Sequence, residues 1–347
     1  MVSTHFHGGC EIRSCVRDWY DDGDTSPDSA QVNDQRVVVL ESSLMAFVTI
    51  LYVADICGRP GRQATAHLVK PLREKYGVDY VIANSENAAG GFGITPEMAK
   101  KMFAYGVDLQ TSGNHIWDRY DIVRYLYQKP KLLRPANFPE EAPGQGWYLE
   151  DVGGVKIGVI NLQGRTYMKD IDCPFKVGRH LVYRLREQTK VIFVDFHAEA
   201  TSEKQAMWHY LDGMVSAVIG SHTHVQTADE TISPNGTAYL TDAGMTGPFD
   251  SVIGMQKEPS IERFVTGMPK RFTTATEDVK LSGVVLRISA ETGRTESIER
   301  IRYDFDLDTF KPEDIVPAVS ETESETDESY DESYDESQSD NEEELQE

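Results

Sequence analysis

Residues 46–54 form an apolar run ending at Asp55, as expected of a strand covered on both faces. Similar strand-like runs recur at 78–83, 107–111, 191–196, 215–220 and 238–241. Between most of them lie segments with helical spacing, at 62–76, 97–105, 119–127, 177–188, 203–211 and 259–266. Thr95-Pro96-Glu97 supplies a cap, a first-turn proline and an early acid for one helix, and Pro60 fits the first turn of another, in which Pro71 is a point of bending. Ser202-Glu203-Lys204-Gln205 reads as a capping box. Runs at 147–151 and 155–162 flank Gly153-Gly154, the signature of a hairpin, and two further strands are expected at 281–288 and 298–303. Mixed β-α-β units with added hairpins imply an α/β fold in which two packed sheets are flanked by helices.

Charge changes this picture only at the ends. Of the net −23, residues 321–347 contribute 14 acidic side chains and no Lys or Arg, and residues 1–44 contribute 8 acidic and 3 basic ones. The middle is left with 35 acidic against 31 basic side chains, so no basic nucleic-acid footprint is present and a bound phosphate needs a local cation. The near-repeat from Asp327 to Ser337 is low in complexity and reads as a solubilising tail, with contact to other proteins as the alternative. Residues 1–44 are polar, with a short extended piece at 36–40; since Met45 opens directly into the first strand, they read as a disordered extension or as an over-extended reading frame. The expected division is therefore 1–44 extension, 45–307 folded domain and 308–347 acidic tail. Cys10, Cys15, Cys57 and Cys173 lack framework spacing and read as reduced thiols, and Cys10-x4-Cys15 with His5 and His7 fits no standard zinc finger. With no membrane span and no signal-peptide layout, a cytoplasmic protein is expected.

The chemistry-bearing residues gather where strands end. Asp55 follows the first run, Glu86-Asn87 the second, Asn114-His115 the third, His197 the run 191–196, and His222-Thr223-His224 the run 215–220. A two-metal phosphoester hydrolase needs such a mixed set, with one carboxylate shared between the ions and a hydroxide between them. Glu86 is the candidate bridge, in the turn-rich stretch 84–93 that lacks the Lys and spacing of a P-loop. Asp55 has capping of the next helix as its alternative role. His222 and His224, two apart, share a face if the segment is extended. His67, His180 and His209 fall within helices and read as structural or surface residues. Two divalent ions against two carboxylates and a hydroxide leave positive charge, which suits an anionic phosphate. The ligand types favour iron, manganese, zinc or cobalt over calcium.

From residue 45 to about 303 these motifs resemble the YmdB-like metallophosphoesterases, a branch of the calcineurin-like superfamily that includes 2',3'-cyclic-nucleotide phosphodiesterases. The resemblance runs through 84–96, Gly113-Asn114-His115-Ile116-Trp117-Asp118, 195–204, 222–229 and 241–248. It implies a four-layer αββα sandwich of two mixed sheets and a di-metal centre, with iron foremost and manganese or another transition metal as alternatives. By analogy Asp55, Glu86 and His224 would hold one ion, and Glu86, Asn114, His197 and His222 the other, with Asn87 also at the site. His115 would give a proton to the leaving oxygen. The first strand lacks the Asp-x-His of the wider superfamily, having Asp55-Ile56-Cys57 instead; Ser85 stands where the family tends to have glycine.

The resulting expectation is a metal-dependent phosphodiesterase, with a bridging hydroxide as attacking group, acting on a cyclic nucleotide or short RNA phosphoester. A homo-oligomer without membrane partners is expected. The competing readings are a phosphomonoesterase or nuclease on the same centre, and a regulatory RNA- or nucleotide-binding protein with slow turnover. Whether Phe92 or Trp117 stacks on a base or packs in the core is left open by the sequence, the core being the simpler role.

Overall fold

Along the first strand, β1 (Phe47–Val53), side chains alternate between two interiors: Val48, Ile50 and Tyr52 enter one hydrophobic cluster, Leu51 and Val53 another. A strand buried on both faces must be central to its sheet, and β1 is. The computed structural model describes residues 46–306 and 308–311. The expected extension 1–44, its extended piece at 36–40, the Cys10/Cys15 stretch and the acidic repeat lie outside the described residues.

The remaining elements follow in order. They are β2 (Asp55–Ile56), α1 (Gly58–Tyr76), β3 (Tyr80–Asn84), α2 (Pro96–Ala104), β4 (Leu109–Thr111) and α3 (Ile122–Gln128). Next come β5 (Trp147–Val152), β6 (Val155–Gln163), α4 (Pro174–Arg186), β7 (Val191–His197), α5 (Thr201–Leu211) and β8 (Ala217–Ser221). Last are β9 (Thr231–Ile232), β10 (Ala238–Leu240), β11 (Met245–Pro248), α6 (Lys257–Thr266), β12 (Val279–Ser289) and β13 (Thr295–Asp304).

One sheet has seven strands in the order β2-β11-β12-β1-β3-β4, with β13 beside β12; the other has six, β5-β6-β7-β8-β10-β9. Within them β1, β3 and β4 run parallel, as do β6, β7, β8 and β10, while β12 opposes β1. The sheets pack face to face through Ile50, Tyr52, Val159, Phe193 and Leu286. Helices α1–α3 cover the outer face of the first sheet through residues such as Leu68, Met102 and Leu126. Helices α4 and α5 cover the second through Val182, Leu185 and Met207. This is the four-layer αββα sandwich of the calcineurin-like fold. Parallel strands aligned in this way deliver their carboxyl ends, and the loops beyond them, to one edge of each sheet.

Local signals act largely as the sequence implies. Thr95 caps α2 by accepting from the Met98 amide at 3.3 Å, and Val152 pairs with Val155 across a two-residue Gly-Gly turn with φ of 58° and 87°. Helix α1 stays continuous through Pro71 and ends on left-handed Gly77. The capping box is a correction: α5 starts at Thr201 after Ala200, with no side-chain cap. Glu203 turns away to accept from the Arg165 and Thr166 amides at 3.1 Å, so it pins the loop after β6 instead. The short strands β2, β9 and β11 have no sequence pattern of their own; they exist because neighbouring strands offer partners.

Candidate metal centre

Asp55 lies in β2, Glu86 and Asn87 in the loop after β3, Asn114 and His115 in the loop after β4, His197 at the end of β7, and His222 and His224 just past β8. The fold brings all of them to one edge. Glu86 Oε1 lies 2.9 Å from His197 Nε2, and His222 Nδ1 lies 3.0 Å from the same nitrogen. These three form a group whose ligating atoms fall within 4.8 Å of one another. Asn114 Oδ1 is 3.1 Å from His197 Nε2, completing one cluster. Asn87 Nδ2 stands 3.3 Å from Glu86 Oε1 and 3.0 Å from His224 Nε2, and His224 Nε2 lies 3.5 Å from Asp55 Oδ2. Glu86 thus stands between two clusters, one built on His197 and His222, the other on Asp55 and His224.

The three imidazoles are oriented by outside partners. His197 Nδ1 donates at 2.9 Å to Ser221 Oγ, whose hydroxyl donates at 2.7 Å to Asp195. His222 Nε2 faces Glu199 at 3.1 Å, and His224 Nδ1 donates to the Ile253 carbonyl at 2.9 Å. Each ring therefore turns its second nitrogen inward, the arrangement that fixes the tautomer of a metal ligand. His115 repeats the device at the rim: its Nδ1 lies 2.7 Å from Asp118 Oδ2, while its backbone amide donates to Glu86 Oε2 at 3.2 Å. Beneath, the fully buried Lys204 donates to Asp242 at 2.7 Å and to the Ser221 carbonyl at 2.8 Å. Asp242 in turn accepts from the Thr223 amide, which holds the His222–His224 turn in place.

That turn corrects a sequence expectation. His222 and His224 have φ of 103° and 62°, so the segment is not extended and the two rings do not share a face. Left-handed backbone at non-glycine residues is strained. It sends His222 toward His197 and Glu199, and His224 toward Asp55 and Asn87. Nor does Asp55 cap α1, whose N-cap is Cys57 with no side-chain bond; Asp55 accepts from the His222 amide at 3.0 Å. Gly113 is demanded by the site, since a Cβ there would fall 2.1 Å from His197 Cδ2 and 2.5 Å from Glu86 Oε2.

Electrostatics test whether these residues suit cations. Burial, reinforced by Glu86, Asp242 and Asp195, pushes Asp55 well above the usual carboxylate range, although His197 opposes it. Its Oδ1 is buried without a hydrogen-bond partner, an arrangement that asks for a cation. Burial alone would raise Glu86, but His197 outweighs it and holds the carboxyl at about 2. The same pair raises His197 to about 9 against its own desolvation. Burial and the neighbouring His197 push His222 down to about 3, and burial lowers His224. Two neutral imidazoles, a carboxylate held ionised and an orphaned carboxylate oxygen fit divalent or transition-metal ions.

Beside this cluster opens a cavity of about 520 Å³ whose lining includes Glu86, His115, Glu199 and His222 together with Phe92, Ile253, Phe264 and Phe272. Phe92 stands edge-on to His115 at 5.1 Å and lines the cavity, whereas Trp117, half-buried, packs against the core and edge-on to Phe138 at 5.6 Å. Glu199 and Asp118, two and three residues beyond His197 and His115, carry a sequence signal in that spacing alone; Ser221, Lys204 and the 252–272 wall carry none. His67, His180 and His209 are exposed on helices, away from the centre.

The paired sheets carry a mixed imidazole and carboxylate cluster at their common strand edge, and relatives named as phosphodiesterase and phosphatase place the molecule among phosphoester hydrolases. The chain belongs to the YmdB-like family, whose model matches residues 51–301. It is 48% identical over 252 residues to the 2',3'-cyclic-nucleotide 2'-phosphodiesterase of Bacillus subtilis (strain 168), spanning 73% of this chain and 96% of that protein. Among solved structures it is similar to a hypothetical protein from Thermus thermophilus (38% identity, TM-score 0.70, 74% of this chain and 99% of that one). A novel phosphatase from Mycoplasma pneumoniae is similar as well (35% identity, TM-score 0.71, 75% and 94% covered).

Proposed function

We propose that the chain is a metal-dependent phosphodiesterase that opens 2',3'-cyclic nucleotides to 3'-nucleotides. The observation that carries this reading is the set of three imidazoles, each tied outside the centre and each turned inward beside Glu86. The sequence similarity to the Bacillus phosphodiesterase supports the choice of ester. Asp55, Glu86 and His224 would hold one ion and Glu86, Asn114, His197 and His222 the other, with Asn87 also at the site and with iron foremost and manganese as alternative. When bound, two such ions supply an activated water and Lewis-acid stabilisation of the charge that develops on phosphorus-bound oxygen.

His115 does the proton work. Asp118 holds its Nδ1, leaving Nε2 to donate to the departing 2'-oxygen, and the 27% exposure of the His115 side chain opens it to the cavity. Breaking the bond to the 2'-oxygen leaves the phosphate on the 3'-oxygen.

The test is metal analysis of the purified protein together with product identification after incubation with 2',3'-cyclic AMP. About two metal ions per chain, as a two-metal centre requires, with 3'-AMP released, is the expected result. Hydrolysis confined to monoesters, or release of 2'-AMP, overturns the assigned ester or regiochemistry. A protein that takes up no metal removes the basis of the reading.

A further inference from the structure

Between β11 and β12 the chain makes an excursion that closes on itself: the Phe249 amide donates to the Asp278 carbonyl at 2.9 Å, Gln256 to Thr273 at 2.9 Å and Ala275 to Gly254 at 2.9 Å. Helix α6 sits in this excursion and buries only Ser260. Its apolar side chains do not face a core. Ile261, Phe264 and Val265 are 55%, 83% and 79% exposed, as is Met268 just past the helix end at 62%. Phe264, the largest of these, faces the 520 Å³ cavity together with Arg263 and Phe272. The Arg263 guanidinium lies 5.0 Å from the centre of the Phe272 ring. The same excursion supplies the Ile253 carbonyl that orients His224, so a hydrogen bond links the wall to the centre.

A phenylalanine this exposed adds nothing to folding, and its position at the mouth of a cavity asks for a ligand. The cavity lining combines the polar groups of Glu86, His115 and His222 with the rings of Phe92, Phe264 and Phe272 and the Arg263 guanidinium. Its volume falls within the range of small-molecule sites, roughly 300–1,000 Å³. A ligand that meets both kinds of lining has an anionic head and a flat π-system. Aromatic rings and arginine stack on every nucleobase, because each has a π-face, and do so with little regard to its identity. An alkyl chain would be met as well by aliphatic side chains.

Resting on the phosphodiesterase reading above, we infer that Phe264, Phe272 and Arg263 form a base-tolerant nucleobase subsite. It selects phosphoesters that carry a nucleoside over those that do not. Because recognition is by stacking, purine 2',3'-cyclic nucleotides are preferred over pyrimidine ones, with little discrimination between adenine and guanine.

The test compares kcat/KM for 2',3'-cyclic AMP with that for glycerol 1,2-cyclic phosphate, an ester with no base, in the wild type, Phe264→Ala and Phe272→Leu. Phe264 is largely exposed, so its replacement leaves the fold intact; Phe272→Leu keeps apolar bulk and removes the ring. Stacking of one base corresponds to roughly a tenfold effect or more, so the ratio of the two kcat/KM values is expected to fall about tenfold in Phe264→Ala. The loss should appear mainly in KM for the nucleotide. A ratio unchanged in both variants overturns the subsite. If the wild type hydrolyses neither ester, the phosphodiesterase reading fails separately, and the subsite is judged by calorimetric binding of 3'-AMP against glycerol phosphate. At least tenfold tighter binding of 3'-AMP that is lost in Phe264→Ala supports it, and equal binding overturns it.

Discussion

His197 Nε2 and His222 Nδ1 face each other at 3.0 Å, with Glu86 Oε1 2.9 Å from the first of them. Two ring nitrogens that close share either a proton or a cation, and Glu86 is the residue that connects both candidate metal positions. Glu86→Ala is therefore expected to lose metal at both positions, to near zero by elemental analysis. Retention of one full equivalent would show that Glu86 does not bridge.

His115 is outside the ligand clusters, and its replacement separates chemistry from metal binding. General acid catalysis by one side chain is worth about 10²–10⁴-fold. His115→Ala should lower kcat by that order while metal content stays at the wild-type value. Asp118→Asn, which weakens only the hold on Nδ1, should cost less. Full activity in His115→Ala would remove it as the proton donor.

Gly113 has no room for a methyl group, because the Cβ would meet the His197 ring and the Glu86 carboxylate. Gly113→Ala should destabilise the fold by about 1–3 kcal/mol, the usual cost of overpacking, and weaken metal uptake. Thermal denaturation and metal titration check the two effects, and wild-type values for both would mean that the loop yields freely.

Glu199 orients His222 from a half-exposed position. Glu199→Ala should weaken metal affinity by about 10–100-fold, the usual effect of removing such a partner. Glu199→Gln, which keeps an acceptor oxygen, should restore much of it. Equal losses in the two variants would point to charge rather than orientation.

The Lys204–Asp242 pair supports the turn that carries His222 and His224, and it sets a pH limit. Burial raises the Asp242 carboxyl, but Lys204 together with the Thr223 and Gly244 amides outweighs it and holds the group below its ordinary value of 3.8. A depressed carboxylate stabilises the fold above its unfolded pKa and loses that contribution as pH falls through the folded one. The urea midpoint of the metal-free wild type should therefore drop below about pH 4, and its advantage over Asp242→Asn should shrink over the same interval. A gap that stays constant into acid would show that the pair does not titrate there.

Much of this architecture is legible in one dimension because burial imposes it locally. The two-sided run 46–54 becomes β1, the Gly153-Gly154 hairpin pairs as its turn dictates, and Thr95-Pro96 opens α2. Strand ends mark the candidate ligands because a sheet edge is where parallel strands deliver their polar residues. Other features depend on partners distant in sequence. Ser202–Gln205 has the letters of a capping box, yet Glu203 finds better donors in the loop after β6. The spacing of His222 and His224 suggests a shared face, but the Thr223–Asp242 bond and positive φ values turn the chain between them. The cavity wall is invisible for the same reason: Phe92 and Phe264 are 172 positions apart in sequence and meet only across a folded surface.

Asp55, Glu86 and Asn114 follow strands of the seven-stranded sheet, whereas His197, His222 and His224 follow strands of the six-stranded one. Ions bound between them would therefore act as a clasp across the seam where the two layers meet. Each sheet carries half of the candidate coordination sphere, so a complete one would form only once the two layers have docked. Ligation free energy is then also cohesion between sheets. Metal uptake would then be the closing act of folding, and a chelator that emptied such a centre is expected to lower the thermal midpoint by loosening the seam between the layers.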